Sequence, residues 1–248
     1  MKETRTIMGM PVTVDIVGGT SNDLENIFQY FVSIDERFST YKVDSEISKI
    51  NRGETQPDAY SPEMLEVLKL SEQTKQDTGG YFDIKTPDGL LDPSGLVKGW
   101  AINNAANMLR QQEYQHFWVE AGGDIQTSGK NSERVEWSVG IRNPFKPEEI
   151  VKVVYPRDEG IVTSGSYIRG RHIYDPHTNT PVSTDIVSLT VIGPNVYEAD
   201  RYATAAYAMS TQGILFIEQL PNFEGYAIDQ HGMATMTSGF ETYLHIQS

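Results

Sequence analysis

Between residues 117 and 193 the sequence is dominated by short apolar runs separated by turns too brief to carry a crossover helix, and this restricts the sheet the chain can build. Phe117-Trp118-Val119 leads into Ala121-Gly122-Gly123-Asp124. Val135, Trp137, Val139 and Ile141 alternate with other residues, as do Val151, Val153 and Tyr155. Ile161-Val162-Thr163, Arg171-His172-Ile173-Tyr174, the series Val187, Leu189 and Val191, Tyr226-Ala227-Ile228 and the stretch from Ala234 to Phe240 also read as strand. Residues two apart fall on one face of a strand, so each run offers a face to a core. Parallel neighbours need a connection of a dozen residues or more, whereas antiparallel ones can follow directly through a hairpin. Antiparallel pairing is therefore expected.

The helical signals are concentrated elsewhere. After a first strand through Val12, Val14 and Ile16, closed by Gly18-Gly19, a helix is expected from about Asn22. Glu25 is placed for a capping-box contact, and Leu24, Ile27, Phe28, Phe31 and Ile34 form one apolar face. Ser45 is placed to cap a short turn through Ile47 and Ile50, Ser61-Pro62-Glu63 to start a longer helix, and Gly79-Gly80 to stop it. Tyr81 to Ile84 reads as a short strand and Pro87-Asp88-Gly89 as a turn. A helix follows with Val97, Ala101, Ala105 and Met108 on its apolar side, and later ones run from about Tyr197 to Met209 and from Ile214 to Leu220. Helices cluster between strands without regular βαβ alternation, which predicts an α+β fold of mainly antiparallel sheets with packed helices. No repeat, low-complexity tract or linker divides the chain, so residues 1–248 are expected to form a single domain.

Composition narrows the function. A net charge of −14 repels phosphate backbones, and no basic face is segregated to offset it, so no nucleic-acid partner is expected. Any phosphate-bearing ligand needs local cations. The absence of cysteine excludes disulfides, thiolate zinc sites and cysteine nucleophiles. No apolar run approaches the roughly 18 residues of a membrane span, and no apolar leader region follows Met1, so a cytoplasmic protein without membrane insertion is expected.

Three constellations carry candidate chemistry. In Leu91-Asp92-Pro93-Ser94-Gly95-Leu96-Val97-Lys98-Gly99-Trp100 a turn runs into a helix. Its N-terminus offers unpaired N–H groups and a positive dipole, Gly95 and Gly99 permit close approach, and Lys98 adds an ammonium beside Asp92. An ordinary helix start with Pro93 in its first turn would look the same. In the alanine-rich helix, Asp200 and Thr204 stand one turn apart on one face, two hard oxygens suited to Mg²⁺ or Ca²⁺. A solvated aspartate and a threonine bonded to its own helix would give the same pattern. Third, Thr163-Ser164-Gly165-Ser166-Tyr167 precedes Arg169, Arg171 and His172, combining donors, cations and a group that exchanges protons near neutral pH, although a β-hairpin with a basic turn and a hydrogen-bonded structural histidine would give the same pattern.

With these residues in view, the sequence resembles the ApbE family of Mg²⁺-dependent flavin transferases over nearly its whole length. The matching motifs are Met8-Gly9-Met10, Ser39-Thr40-Tyr41 through Ser45, Phe82-Asp83, Asp92 through Ala101, Glu120-Ala121-Gly122-Gly123-Asp124, Thr163 through Tyr167, His172-Ile173-Tyr174-Asp175-Pro176, and Ala199-Asp200 with Thr204. The resemblance implies an ApbE-like, T-fold-related architecture. It implies that FAD is the substrate, and that FMN passes to a threonine or serine hydroxyl of an acceptor protein with release of AMP. It assigns Mg²⁺ to Asp200, the Thr204 hydroxyl and the Gly95 carbonyl. The FAD site falls to Met8, Tyr41, Tyr81, Phe82, Asp83, Asp92, Lys98 and Tyr174, and the catalytic base to His172.

Two departures from the family pattern stand out. Met10 occupies a position usually held by a small hydroxyl residue, and the segment from Ile84 to Leu91 is short. Two other functions share parts of the pattern. A Mg²⁺-dependent FAD pyrophosphatase would use water in place of the acceptor. A non-catalytic flavin-binding protein would have no use for Asp200, Thr204 and His172 together.

Overall fold

The computed structural model of the chain describes residues 1–165, 174–178, 180–182 and 184–245. The chain opens with strands β1 (Lys2–Ile7) and β2 (Met10–Ile16) and helices α1 (Ser21–Phe38), α2 (Glu46–Asn51), α3 (Pro62–Asp77) and α4 (Ser94–Gln111). Strands β3 (Phe117–Ala121), β4 (Asp124–Ser128), β5 (Val139–Asn143), β6 (Lys146–Val154), β7 (Gly160–Gly165), β8 (Tyr174–Asp175), β9 (Thr180–Pro181) and β10 (Ile186–Gly193) follow. Helices α5 (Val196–Ala208) and α6 (Gly213–Glu218) precede the closing strands β11 (Glu224–Asp229) and β12 (Ala234–Met236). The main sheet runs β1-β2-β3-β4-β7-β10-β11-β12, and every pairing in it is antiparallel.

Alternation sorts this sheet's residues onto two cores. Val162, Leu189, Val191 and Ala227 join the helices, while Ile161, Ile192, Tyr226 and Ile228 pack beneath the β5–β6 hairpin and the 3-10 turn at Phe240–Tyr243. Helix α1 buries Leu24, Ile27, Phe28, Phe31, Ile34 and Phe38, and each such side chain removed from water contributes about 1.5–3 kcal/mol before entropy is subtracted. Helix α5 lies across β7 and β10 and packs on α4.

Several local expectations need correction. The capping box of α1 joins Thr20 to Asp23, not to Glu25, because the helix starts at Ser21. Glu25 instead pairs with Arg5 at 2.8 Å. Tyr81 to Ile84 is not a strand: it continues from the end of α3, where the Phe82 N–H donates to Thr78 Oγ1 at 3.2 Å. The alternation from Val135 becomes regular strand only at Val139, and the strand at Ala234 ends at Met236. Strand β4 escaped the apolar criterion because four of its five residues, Asp124, Gln126, Thr127 and Ser128, are polar, although all five are buried. The Ser45 and Ser61 caps are found where the sequence puts them, accepting from Ser48 N and Met64 N at 3.2 Å each.

Candidate functional site

A close contact between α4 and α5 builds the site. A Cβ placed on Gly99 would come within 2.5 Å of Asp200 Cβ and 2.8 Å of the Val196 carbonyl oxygen, so only glycine allows α4 and α5 to approach this far. The Gly99 N–H donates to Asp200 Oδ2 at 2.8 Å. One turn back on α4 and one turn on along α5, Thr204 Oγ1 donates to the Gly95 carbonyl at 3.3 Å. Running antiparallel, the two helices thus bring a carboxylate, a hydroxyl and a backbone carbonyl together at the start of α4.

The loop before α4 is tied down from both sides. The Asn51 amide donates to the Leu91 carbonyl at 2.9 Å and accepts from the Leu91 N–H at 2.8 Å. Asp92 takes the Ser94 N–H at 3.0 Å, using its carboxylate on one of the orphan donors of the helix end. Asp83 pairs with Lys75 of α3 at 2.6 Å, and that hydrogen bond raises the Lys75 pKa above its ordinary value. Lys98, one turn into α4, forms an ion pair with Asp124 of β4. The Asp124 carboxylate also accepts the Thr163 N–H at 3.3 Å, and Thr163 Oγ1 lies 2.8 Å from Thr190 Oγ1.

A cleft opens between these elements. Its walls include Tyr81, Phe82, Asp83, Asp92, Gly95, Lys98, Tyr174, Asp200 and Thr204, all named from the sequence. They also include Lys85, Thr86 and Pro87 on one side and Gly122, Thr163, Ser164 and Gly165 on the other. Tyr174 arrives on the β8–β9 hairpin, which docks on the cleft through His177. That imidazole packs edge-on to Tyr81 at 4.5 Å, with Nε2 3.1 Å from the Gly79 carbonyl.

Two of the expected residues do not line this cleft. Tyr41 stands 98% exposed on the loop after α1, and Met8 packs half-buried in the β1–β2 turn with a positive φ of 54°. His172, with Ser166, Tyr167, Arg169 and Arg171, lies outside the described residues. Sequence reasoning did not single out Asp124 as a partner of Lys98. The signal available was a carboxylate opening a polar strand directly after Gly122-Gly123.

The donor set fits a hard divalent cation bound together with a ligand. Among the described residues no group of three or more His, Cys, Asp or Glu side chains could hold a metal alone. One carboxylate, a hydroxyl and a carbonyl suit Mg²⁺, which commonly keeps waters and takes further oxygens from a phosphate-bearing substrate.

Comparison with known proteins places these features in context. The ApbE family model matches residues 8–88 and 84–227. Among curated proteins, the FAD:protein FMN transferase of Vibrio cholerae is 26% identical, over 72% of this chain and 71% of its own length. The FAD:protein FMN transferase of Escherichia coli is 29% identical over 74% of this chain, a match that spans 52% of that protein. In fold, the flavin transferase ApbE from Vibrio cholerae superposes with a TM-score of 0.86 at 23% identity, covering 98% of this chain and 99% of that one. The ApbE protein of Thermotoga maritima superposes with a TM-score of 0.85 at 19% identity, covering 99% of each.

Proposed function

Because this chain belongs to the ApbE family, we propose that it is a transferase that takes FAD as substrate and passes its FMN half to an acceptor protein, releasing AMP. Curated relatives named FAD:protein FMN transferase support the class of reaction. The observation that carries the reading in this molecule is the meeting of Gly95, Asp200 and Thr204 on the wall of a cleft that also holds Lys98 and three aromatic residues, Tyr81, Phe82 and Tyr174. We further propose that residues 1–248 act as one domain.

The chemistry follows from what these groups can do. Attack of a threonine or serine hydroxyl on the FMN-side phosphorus forms a phosphoester and breaks the diphosphate bond, and AMP leaves. Charge on the diphosphate rises as that bond breaks. Asp200, the Thr204 hydroxyl and the Gly95 carbonyl would hold Mg²⁺, which supplies charge neutralisation to the diphosphate and the leaving AMP. Lys98 adds a point charge from the α4 side, and the first N–H groups of α4 add the positive end of a helix dipole. Tyr81, Phe82, Asp83, Asp92 and Tyr174 form the remaining contacts to the dinucleotide. In this proposal His172 takes the acceptor's proton as general base. The net charge of −14 makes local cations necessary, since the protein as a whole repels a diphosphate.

The test is to incubate the protein with FAD and Mg²⁺, with and without a candidate acceptor, and to follow AMP, free FMN and the acceptor's mass. Acceptor-dependent AMP with a matching gain of FMN mass supports the transferase. AMP with an equal amount of free FMN, independent of acceptor, would assign the pocket to FAD hydrolysis instead.

A further inference from the structure

We infer that Asp124 is a positioning residue that fixes the Lys98 ammonium at the diphosphate end of the cleft, an inference that rests on the FAD reading of this pocket. Lys98, Gly122 and Thr163 are on the cleft wall, and Asp124 sits behind them with its side chain only 2% exposed, against 17% for Lys98. The carboxylate is itself held. Gly122 and Gly123, at φ 60° and 96°, form the two-residue hairpin turn that joins β3 to β4 and sets where Asp124 begins its strand. One carboxylate oxygen then accepts the Thr163 N–H from β7 while the other meets the Lys98 ammonium from α4.

Burying a carboxylate and an ammonium together costs desolvation that an apolar pair of similar size would avoid, so packing alone gives no reason for this pair. An anion site does. A lysine head on a flexible stem loses rotamer freedom when it grips a phosphate, and a partner that orders it beforehand removes that cost from binding. An ammonium has three donors, so it can keep Asp124 while it also donates to diphosphate oxygens. Asp124 thus acts on the ligand only through Lys98.

That dependence is what a double-mutant cycle reads. Equilibrium FAD binding, followed by flavin fluorescence without acceptor, is measured for the wild-type protein, Asp124→Asn, Lys98→Met and the double variant, with Tm recorded for each. Asp124→Asn keeps the shape and the acceptor for the Thr163 N–H but removes the charge. The expected result is about tenfold weaker FAD binding for Asp124→Asn, at least as great a loss for Lys98→Met, and no further loss in the double variant. FAD affinity unchanged in Asp124→Asn while Tm falls, or losses that add in the double variant, would overturn the inference. If Asp124→Asn does not fold, Lys98→Arg serves: it keeps the charge but moves the donors, so weakened binding supports positioning and unchanged binding overturns it. Wild-type protein that fails to bind FAD would instead remove the reading of the pocket on which this inference stands.

Discussion

The backbone N–H of Gly99 donates to the carboxylate of Asp200 at 2.8 Å, joining two helices whose paired residues are 101 positions apart in sequence. The contact requires a glycine, and it orients the carboxylate that the proposed metal site depends on. A backbone donor cannot rotate away, so Asp200 is held before any ligand arrives.

Gly99→Ala should therefore damage both stability and chemistry. The added methyl meets the Val196 backbone as well as Asp200, and crowding of this kind costs about 1–3 kcal/mol. Chemical denaturation should show that loss, and AMP release should fall in protein that remains folded. Wild-type stability in this variant would mean that α4 and α5 leave room for a side chain between them.

Asp200→Ala should lower Mg²⁺-dependent AMP release by at least about a hundredfold, since even residues behind a metal ligand are worth 10–100-fold. Chelation with EDTA should produce a comparable loss in the wild-type protein, restored by added Mg²⁺. Full activity of the variant would remove Asp200 from the site.

With a single carboxylate in the donor set, metal affinity should depend on the ligand. Calorimetric titration of Mn²⁺ into the protein alone should give weak binding, and FAD should tighten it markedly. Equal affinity with and without FAD would show that the diphosphate supplies none of the coordination.

His172→Ala should slow FMN transfer far more than it weakens FAD binding, the pattern of a group that acts only in the transition state. Single-turnover kinetics beside equilibrium binding would separate the two. Equal losses in both would make His172 a binding residue.

Next to Asp200, Arg201 ties α5 to α3. Its guanidinium, 9% exposed, pairs with Asp77 at 2.7 Å and Glu198 at 2.8 Å. Burial pushes the Asp77 carboxyl up, but hydrogen bonds from Arg201 and Gln73 outweigh it and hold the pKa below the ordinary value. A depressed folded-state pKa gives stability that is present above the unfolded value of about 3.9 and is lost as pH falls through the lower folded value. Arg201→Met should cost about 1–3 kcal/mol at neutral pH, with the partners' partial exposure keeping the figure modest. The gap from wild type should narrow below about pH 4 as Asp77 protonates. A gap that does not change with pH would put the loss in packing alone.

What the sequence revealed follows the range over which each signal acts. Caps at Ser45 and Ser61, the apolar face of α1 and the Asp200–Thr204 pair are set within one or two helical turns, so neighbouring residues disclose them. Strand β4 was hidden because polar Gln126 and Thr127 are buried by long-range bonds, among them Gln126 Oε1 accepting the Val196 N–H at 2.8 Å. Tyr81 to Ile84 has strand-like residues, but bonds to α3 and the docking of His177 decide its path. Asp124 and Lys98 lie on different elements brought together only by the sheet, and nothing in either local sequence names the other.

Anomalous diffraction from crystals grown with FAD and Mn²⁺ locates the ion directly. One strong peak is expected between the start of α4 and the middle of α5, coordinated by Asp200, Thr204, the Gly95 carbonyl and diphosphate oxygens of FAD. A peak elsewhere, or FAD bound with its diphosphate away from these residues, would contradict this placement.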